Sequence, residues 1–574
     1  MCKKNNIILR ILLLVVFPNL VSGQAQQTPS ANLPTVILPS PNAASLGVYG
    51  QIPVSFFNGL AQVSVPMGAV AADGVKVDIS LNYHGGGIQP DQHPTWVGSG
   101  WDLNAGGVIT RKINGDADEA LSPEEDPPTE QIYYDHPTTA NNPNWYSADT
   151  LAQDALMIDP SFTRVLPSPD EFTFNFGGYS GSFFYDQTGH WSVRSETPLH
   201  LKITEKLTTN FSLPPQALGT AILLPRIFYE FDITTPDGAE YIFGGTASSI
   251  EFSRPPTVIS NYANYAVYAS AWYLTKIITP HKREINFSYD RDKIIVPVST
   301  SYLNYAYKLS DNPVNESGGD GSHITVINPC YLTAISSPDQ QFHFFRSVSN
   351  ELPYNYQTGA DNSVSQDMKS AGTTYKDLTV AGGHPLLPTD VVWYKLDSIC
   401  EYNGLGAFLR KMAFSYTENT STKLILHQVQ EFSQNYAPKP PYSFTYNTTP
   451  LPPYNSKETD HWGYYNGVNF FNNYPVTTQF DSSYITAYTA SRAPNPSYVQ
   501  AGMLTSVQYP TGGKTTFTYD PNDYAKVVNI ATPQSTISSV SKQTGAGVRV
   551  SKISNYDAAG NLLESKQYLY VLNY

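Results

Sequence analysis

Charged residues, cysteines and long apolar runs are all scarce in this chain of 574 residues. Asp, Glu, Lys and Arg together make up 14% of it, against about 25% in an average soluble domain. The formal net charge is −14, and no basic run is interleaved with aromatic residues, which argues against nucleic acid as a partner. Three cysteines are too few for a disulfide-rich scaffold.

The apolar run from Ile11 to Phe17 is too short for a membrane span, which takes roughly 18 residues or more. Basic residues precede it and small residues follow it, a pattern typical of a secretory signal peptide cleaved near Gly23. We therefore expect a signal peptide over residues 1–23 and a flexible Pro- and Ser-rich lead-in over 24–45. The mature protein is expected to be secreted or on the cell surface, without a membrane span.

Two cysteines, Cys330 and Cys400, remain after the expected cleavage. A secreted protein matures in an oxidising environment, where a single disulfide between them is permitted. Two unpaired buried thiols are the equally open alternative, because so few cysteines in so long a chain do not define a disulfide framework.

Aromatic and turn-forming residues are abundant, with 41 Tyr, 26 Phe, 44 Pro and 39 Gly. Such a composition favours strands punctuated by turns, and we predict an all-β protein with little helix. In "EFTFNF" the residues Phe172, Phe174 and Phe176 alternate, so they fall on one face of a strand, and the return strand is expected from Phe184. We expect antiparallel hairpins arranged as a sandwich, a curved sheet or a partial shell.

The chain divides into an expected N-terminal β domain over 46–250 and a region of hairpins over 251–574. Five segments of the second region share a short apolar strand, a turn, and a return strand that ends in aromatic-x-Tyr or a close variant. They are Leu274 to Asp290, Leu332 to Ser347, Leu396 to Tyr416, Leu504 to Asp520 and Val550 to Tyr570. Single hairpins are marginal in water, so these units must pair edge to edge. Their uneven spacing argues against a propeller.

The last unit resembles a YD repeat, because Tyr556, Asp557, Gly560 and Leu562 match its Y-D-x-x-G-x-L core. Together with "YPTGGKTTFTYD", "FDITTPDGAEYIFGG" and the early "YHGGGIQPDQHPTWVGSGWDLNAGGVITR", it makes the chain from about Ser45 onward resemble the N-terminal region of secreted Rhs/YD-repeat proteins of Bacteroidetes-type bacteria. Those proteins are related to the shell components of Tc-type toxins.

This resemblance implies a β shell that encloses a toxic cargo. It further implies that this chain is a non-enzymatic N-terminal scaffold of such a shell, used in toxin encapsulation or intercellular contact. No long YD array and no cargo domain occur in the sequence. The expected partner is therefore another protein or the remaining part of a longer chain of this type, and no cofactor is implied.

Catalytic motifs are incomplete. "HGGG" at residues 84–87 could form an oxyanion hole, but no G-x-S-x-G nucleophile elbow accompanies it, so a serine hydrolase is only a residual alternative. His84, Asp91 and His93 are weak candidates for a metal site, since their spacing fits no known ligand pattern. We expect the surrounding glycines to form corners anchored by Trp96 and Trp101.

Exposed aromatic residues of a secreted β protein suit sugar binding, because their faces stack on apolar sugar faces. Trp462, Tyr464 and Tyr465 in "DHWGYYNG" are the candidates, and they support the alternative function of a carbohydrate-binding or adhesin-like surface protein. The competing interpretation is an aromatic corner that anchors a loop. A second polar stretch, Asp116 to Gln131, is acidic and is expected to be a solvated loop, with calcium binding as the alternative.

Overall fold

The computed structural model describes residues 59–114, 117–119, 134, 169–195, 198–213, 222–254, 267–303, 319–324, 326–353, 379–380, 384–385, 391–454, 456–470, 482–529 and 536–570. The expected signal peptide (1–23) and lead-in (24–45) lie outside the described residues. Among the residues that are described, no helix is long and apolar enough to cross a membrane.

The fold is all-β with little helix, which confirms the predicted class. The strands are β1 (Val63–Ala72), β2 (Val75–Tyr83), β3 (Trp101–Asn104), β4 (Gly107–Lys112), β5 (Glu171–Phe176), β6 (Tyr179–Tyr185), β7 (Trp191–Arg194), β8 (Lys202–Leu213), β9 (Ile222–Thr234), β10 (Glu240–Gly244), β11 (Ile250–Arg254), β12 (Tyr268–Ile278), β13 (Glu284–Asp290), β14 (Val298–Leu303), β15 (Gly319–Ile324), β16 (Val326–Asn328), β17 (Tyr331–Ser336), β18 (Gln340–Val348), β19 (Thr379–Val380), β20 (His384–Pro385), β21 (Tyr394–Asn403), β22 (Phe408–Asn419), β23 (Thr422–Phe432), β24 (Tyr442–Tyr446), β25 (Leu504–Gln508), β26 (Lys514–Asn529), β27 (Thr536–Tyr556) and β28 (Leu562–Gln567). The helices are α1 (Ser482–Ser491) and α2 (Pro496–Val499), with one 3₁₀ turn at Ala247–Ser249.

Two large antiparallel sheets share strand β12. Its first half pairs with β4 and β11, and its second half, from Leu274, pairs with β10 and β13. The first sheet has the order β7-β6-β5-β4-β12-β11-β16. The second has the order β8-β9-β10-β12-β13-β17-β18-β21-β22-β23-β24-β25-β26-β27-β28. Sheet hydrogen bonds thus cross residue 250, where the sequence suggests a boundary.

A small sheet, β1-β2-β3, packs over the larger sheets. Its apolar residues alternate along β1, where Val63, Val65 and Met67 are at most 3% exposed. Gly68 lies against the Phe342 ring, where an added Cβ would approach within 2.7 Å. The β14-β15 and β19-β20 hairpins complete the described strands.

Aromatic rings form the core of the region around β4 to β12. Phe172, Phe174 and Phe176 are at most 1% exposed, as their alternation predicts. The return strand starts at Tyr179 and buries Phe183, so the expected start at Phe184 is wrong in register. The Phe172 ring has centroid distances of 5.1 to 5.9 Å to the rings of Phe183, Trp191, Phe228, Phe231 and Trp272.

A buried ion cluster holds the loop after β4 against this core. Arg111 Nε donates to Asp170 at 2.8 Å, and its Nη1 donates to Glu119 at 2.9 Å. Asp118 and Glu119 are 2% exposed, so the expectation of a solvated loop is wrong for these two residues; their partner Asp170 is fully buried. Burial, reinforced by the charge of Asp170, raises the pKa of Asp118 to about 8. The buried guanidinium of Arg111 thus holds Glu119 and Asp170 within the folded core.

Buried apolar residues recur at a fixed spacing in the part of the second sheet from β12 to β28, which we call the hairpin sheet. The first strand of each unit buries two apolar residues three positions apart, although positions i and i+3 of a regular strand face opposite sides. The pairs are Leu274 and Ile277, Leu332 and Ile335, Leu396 and Ile399, Leu426 and Val429, Leu504 and Val507, and Val550 and Ile553. Both members can be buried only where one residue is added to the strand.

Each unit contains that added residue as a β-bulge at the same position, immediately after the first apolar residue. The bulge residues are Thr275, Thr333, Asp397, His427, Thr505 and Ser551. A bulge locally disrupts the hydrogen-bond ladder and bends the strand. Every second strand from β12 to β27 is therefore bent at an equivalent point.

The tyrosine of aromatic-x-Tyr bonds to the strand beside that bulge. In five units its hydroxyl donates to the carbonyl of the unit's first apolar residue. The pairs are Tyr289 to Leu274 (2.9 Å), Tyr416 to Leu396 (2.7 Å), Tyr446 to Leu426 (2.5 Å), Tyr519 to Leu504 (2.7 Å) and Tyr570 to Val550 (2.7 Å). The first four tyrosines also pair in register with the first apolar residue of the next unit. We call this arrangement the Tyr–Leu lattice.

Candidate functional site

A five-residue turn connects many of the hairpins. The N–H of its first residue donates to the carbonyl of the fifth, and the N–H of the fourth donates to the carbonyl of the first. It occurs at Asp186–His190, Thr235–Ala239, Thr279–Arg283, Asn403–Ala407, Ser433–Ala437, Asp460–Tyr464, Tyr509–Gly513 and Asp557–Asn561. The fourth residue has positive φ and is glycine, except at Lys282 and Tyr436. This geometry is that of a three-residue hairpin loop with a left-handed residue.

The residues that match the YD repeat form one copy of this turn. Tyr556 ends β27 and pairs with Leu562, which begins β28. Asp557 Oδ1 accepts the Asn561 N–H at 2.8 Å, and Gly560 has a φ of 86°. Hydrogen bonds from the side chain and the backbone N–H of Asn561 to this carboxylate lower the pKa of Asp557. The Y-D-x-x-G-x-L pattern thus combines a strand end, a turn acceptor, a left-handed position and a strand start.

The candidate sugar-binding segment contains another copy of the turn. Asp460 Oδ1 accepts the N–H groups of Trp462 and Tyr464 at 2.8 and 3.0 Å. Tyr465 is 7% exposed, whereas Trp462 is 44% exposed with its ring 6.2 Å from that of Tyr524. Of the three candidates, Trp462 presents the most open ring. Sugar binding at this segment remains a prediction.

Glycine corners in residues 84–100 make room for Tyr83. A Cβ on Gly85 would lie 2.4 Å from the Tyr83 ring, and one on Gly100 would lie 2.7 Å from it. The Tyr83 hydroxyl accepts the Leu504 N–H at 2.9 Å, and burial raises the pKa of Tyr83 to about 12. Trp101, 1% exposed, donates its indole N–H to the Tyr446 hydroxyl at 2.8 Å. The corners therefore join the small sheet to the Tyr–Leu lattice.

The loop between the two corners connects distant parts of the chain through its backbone. The Val548 N–H donates to the Gly86 carbonyl at 2.9 Å. The Ile88 N–H donates to the Val499 carbonyl at 2.9 Å, and the Ile88 carbonyl accepts the Tyr465 N–H at 2.9 Å. These bonds link the loop to β27, to α2 and to the Trp462 turn, so its "HGGG" sequence has a structural use.

A buried lysine holds the second half of this loop. Lys423 Nζ donates to the carbonyls of Pro90 and Gln92 at 2.8 and 2.9 Å and lies 4.4 Å from the Tyr454 ring centroid. Its side chain is fully buried, and this burial lowers the pKa of Lys423 to about 7. Glu351, also buried, accepts the Leu424 N–H at 3.0 Å.

The two histidines of the loop have separate carboxylate partners. His93 Nε2 lies 2.8 Å from Glu351, and its ring stacks on Trp393 at a centroid distance of 3.4 Å. His84 Nε2 lies 2.8 Å from Asp102, and this contact raises the pKa of His84. Within the described ranges, no group of three or more His, Cys, Asp or Glu side chains could hold a metal ion. The structure therefore does not assemble the trio of His84, Asp91 and His93 into a site.

Both cysteines are free and buried, so the structure contains the alternative of two unpaired thiols and lacks the Cys330–Cys400 disulfide. Cys330 precedes β17, whereas Cys400 lies in β21 opposite His343 of β18. Burial raises the pKa of Cys330 to about 12. A thiol with such a pKa is a poor nucleophile at neutral pH.

The last described strand of the hairpin sheet, β28, is exposed. Within the described part of the chain, β28 pairs with β27 alone, and each of its six residues is exposed. Leu562 and Leu563 are 56% and 68% exposed, although they face opposite sides of the strand. Exposed edges of this kind are templates for pairing with a further strand. We call Leu562–Gln567 the free edge.

No protein-family model matches the chain. No curated protein matches it.

Solved structures show partial likenesses. The crystal structure of TcdB2-TccC3-TEV is 12% identical with a TM-score of 0.35 over 88% of this chain and 20% of that one. The Photorhabdus luminescens Tc holotoxin pore is 11% identical with a TM-score of 0.29, over 89% and 21%. The N-terminal domain of effector protein SpvB from Salmonella typhimurium strain LT2 is 14% identical with a TM-score of 0.27, over 65% and 99%. This chain spans about one fifth of the first two, and TM-scores below 0.5 do not establish a shared function.

Proposed function

We propose that this protein is a secreted or surface-associated structural protein without enzymatic activity, whose hairpin sheet forms part of the wall of an Rhs/YD-repeat-type shell. The observation that supports this role is the Tyr–Leu lattice, in which every unit supplies the surface on which the next unit pairs. A lattice of this kind extends by addition of further units, and burial of their apolar residues stabilises the assembly.

The free edge is where the wall would continue. Tyr570 already donates to Val550, as the tyrosines of the earlier units donate within theirs. The four complete junctions place the first apolar residue of the next unit opposite such a tyrosine. The partner is therefore a hairpin that starts with Leu-x-x-Ile or a close variant, with its leucine opposite Tyr570 and its bulge at the following residue.

A copy of the chain's own unit tests this proposal. A second Val550–Tyr570 segment would be placed after Tyr570 through a linker as long as residues 417–425, which join Tyr416 to Leu426. The appended unit is expected to pair with the free edge and to slow backbone hydrogen exchange in β28 by about tenfold or more, because its outward amides would gain acceptors.

The matched control carries Val550→Ser and Ile553→Ser in the appended copy alone, so length and turn are unchanged. This control is expected to leave β28 exchange as it is in the parent chain. Equal exchange in β28 with the intact and the substituted copies would contradict the lattice as the basis of extension.

Secretion is a separate part of the proposal. Expression in a bacterium with an intact export pathway should give a product outside the cytoplasm whose N-terminus lies close to residue 24, as measured by N-terminal sequencing. A full-length cytoplasmic product starting at Met1 would contradict this location without affecting the role of the lattice.

A further inference from the structure

A cavity of about 410 Å³ lies where the small sheet meets the two large sheets. Its wall combines the segment from His93 to Val108 with parts of β12, β13 and β17 and with Trp393 and Tyr394. Ligand sites of proteins begin at about 300 Å³, so this space is large enough for a small molecule. It is distinct from both the free edge and the Trp462 turn.

Aromatic rings make up much of this wall. They belong to Trp96, Tyr273, Tyr289, Tyr331, Trp393 and Tyr394. Trp96 is half-buried, with its ring 5.7 Å from that of Tyr331. Rings that are held by their neighbours and still open on one face are suited to stack on a flat apolar surface of a ligand.

Each carboxylate of the wall already has a histidine partner. Glu351 is paired with His93 at 2.8 Å, and Asp102 is paired with His84 at 2.8 Å. Arg346, behind the wall, lies between the rings of Tyr331 and Tyr394 at 4.5 and 4.7 Å. A charged ligand would have to lose its hydration without gaining an unpaired partner, which is costly.

The free hydrogen-bonding groups of the wall are uncharged. The Tyr331 hydroxyl and the Trp96 indole N–H make no hydrogen bond to the residues that the structure describes. The side chains of Asn104 and Asn175 are exposed at the rim and likewise have no such bond. Amides offer donors and acceptors together, which matches hydroxyl groups of a ligand.

We infer that this cavity binds a neutral saccharide of one or two rings, which stacks on Trp96 and hydrogen-bonds to Asn104, Asn175 and Tyr331. A sugar ring combines an apolar face with hydroxyl groups around its edge, and the cavity combines open aromatic faces with uncharged polar groups around its rim. The inference is independent of the shell role, because it uses no residue of the free edge.

The test is a titration of the full chain with a panel of neutral mono- and disaccharides of glucose, galactose, mannose and N-acetylglucosamine, with choline chloride and sodium glucuronate as charged probes. Isothermal titration calorimetry measures the Kd. At least one neutral saccharide is expected to bind, and both charged probes are expected to bind more weakly or not at all.

Two variants place the binding in the cavity. Trp96→Ala is expected to weaken it by about tenfold or more, the equivalent of about 1.4 kcal/mol of lost stacking. Asn175→Ala, a change at an exposed side chain that leaves the fold intact, is expected to weaken it several-fold. Trp462→Ala is the matched control, since it removes a tryptophan outside the cavity, and it should leave the Kd unchanged.

Three outcomes would overturn the assignment. If no neutral saccharide binds, the assignment of the cavity as a saccharide site is wrong. Loss of binding in Trp462→Ala with unchanged binding in Trp96→Ala and Asn175→Ala would move the site to the Trp462 turn. Tight binding of choline or glucuronate alone would show that the cavity selects charge.

Discussion

The region around β4 to β12 and the Tyr–Leu lattice bury apolar residues by different rules. In the first, large rings such as Phe172 contact rings from several other strands, so each residue depends on many non-local neighbours. In the lattice, each contact is between adjacent units and is repeated, as with Tyr519 and Leu504. The first region is specified as a whole, whereas the second is specified unit by unit.

The largest expected effect is in the first region. Arg111→Leu should cost about 3–5 kcal/mol of unfolding free energy, because it leaves Glu119 and Asp170 buried without their cation. The loss should shrink as the pH falls and the carboxylates protonate. Thermal unfolding at several pH values measures it. Arg194→Leu, which removes a mostly exposed guanidinium 3.8 Å from Glu171, is the control and should cost under about 0.5 kcal/mol.

Lys423, which holds the loop carbonyls of Pro90 and Gln92, should make stability depend on pH. Its pKa is lowered to about 7 in the folded protein, whereas an unfolded lysine titrates near 10.5. The unfolded state therefore binds more protons between these values, and stability should rise with pH from about 7 to 10. Lys423→Met should lack this rise. Equal slopes of Tm against pH in the two proteins would contradict it.

Substitutions in the Tyr–Leu lattice should cost less unfolding free energy than the loss of Arg111. Tyr519→Phe should cost about 1–2 kcal/mol, because the Leu504 carbonyl beside the bulge loses its hydroxyl donor. Tyr570→Phe removes the same bond at the end of the sheet, where the tyrosine is more exposed, and should cost less. Denaturant unfolding of both variants gives the comparison. Equal losses of unfolding free energy in the two variants would show that the strength of this hydrogen bond does not depend on its position in the lattice.

The smallest expected effect is at the turns. Lys282 occupies the fourth position of its turn, where most of the turns have glycine, and its φ is 66°. Lys282→Gly should stabilise the protein by about 0.5–1 kcal/mol through relief of left-handed strain. Gly238→Ala, in a turn with open space around the glycine, should destabilise it by a similar amount. Opposite signs in the two Tm shifts are the expected result.

Local patterns in the sequence predicted much of the fold. The alternation of Phe172, Phe174 and Phe176 fixed the buried face of β5, since strand periodicity needs only neighbouring residues. The aromatic-x-Tyr endings identified five of the hairpin units. The unit from Leu426 to Tyr446 was missed because its turn has Tyr436 in place of glycine and is followed by prolines. The Leu-x-x-Ile spacing could have revealed it.

Such local patterns could not predict contacts between residues that are far apart in the sequence. Nothing near Asp118 in the sequence indicates that Arg111 pairs with the buried carboxylates of Glu119 and Asp170, so an acidic stretch was interpreted as solvated. Likewise, His93 is explained by Glu351 and Trp393, which lie far along the chain. The cavity is formed by segments that are far apart along the chain, and its residues have no common motif. These features depend on tertiary contacts, which the periodicity of residues along a strand does not predict.

The bulges repeated in every second strand from β12 to β27 have a mechanical consequence. Each bulge bends its strand and increases the local right-handed twist. The bulges stand at equivalent positions in successive units. In the sequence, a spacing of three instead of two between buried residues thus indicates where each strand bends. The number of units then sets how far the hairpin sheet extends, while the spacing within each unit sets where its strand bends.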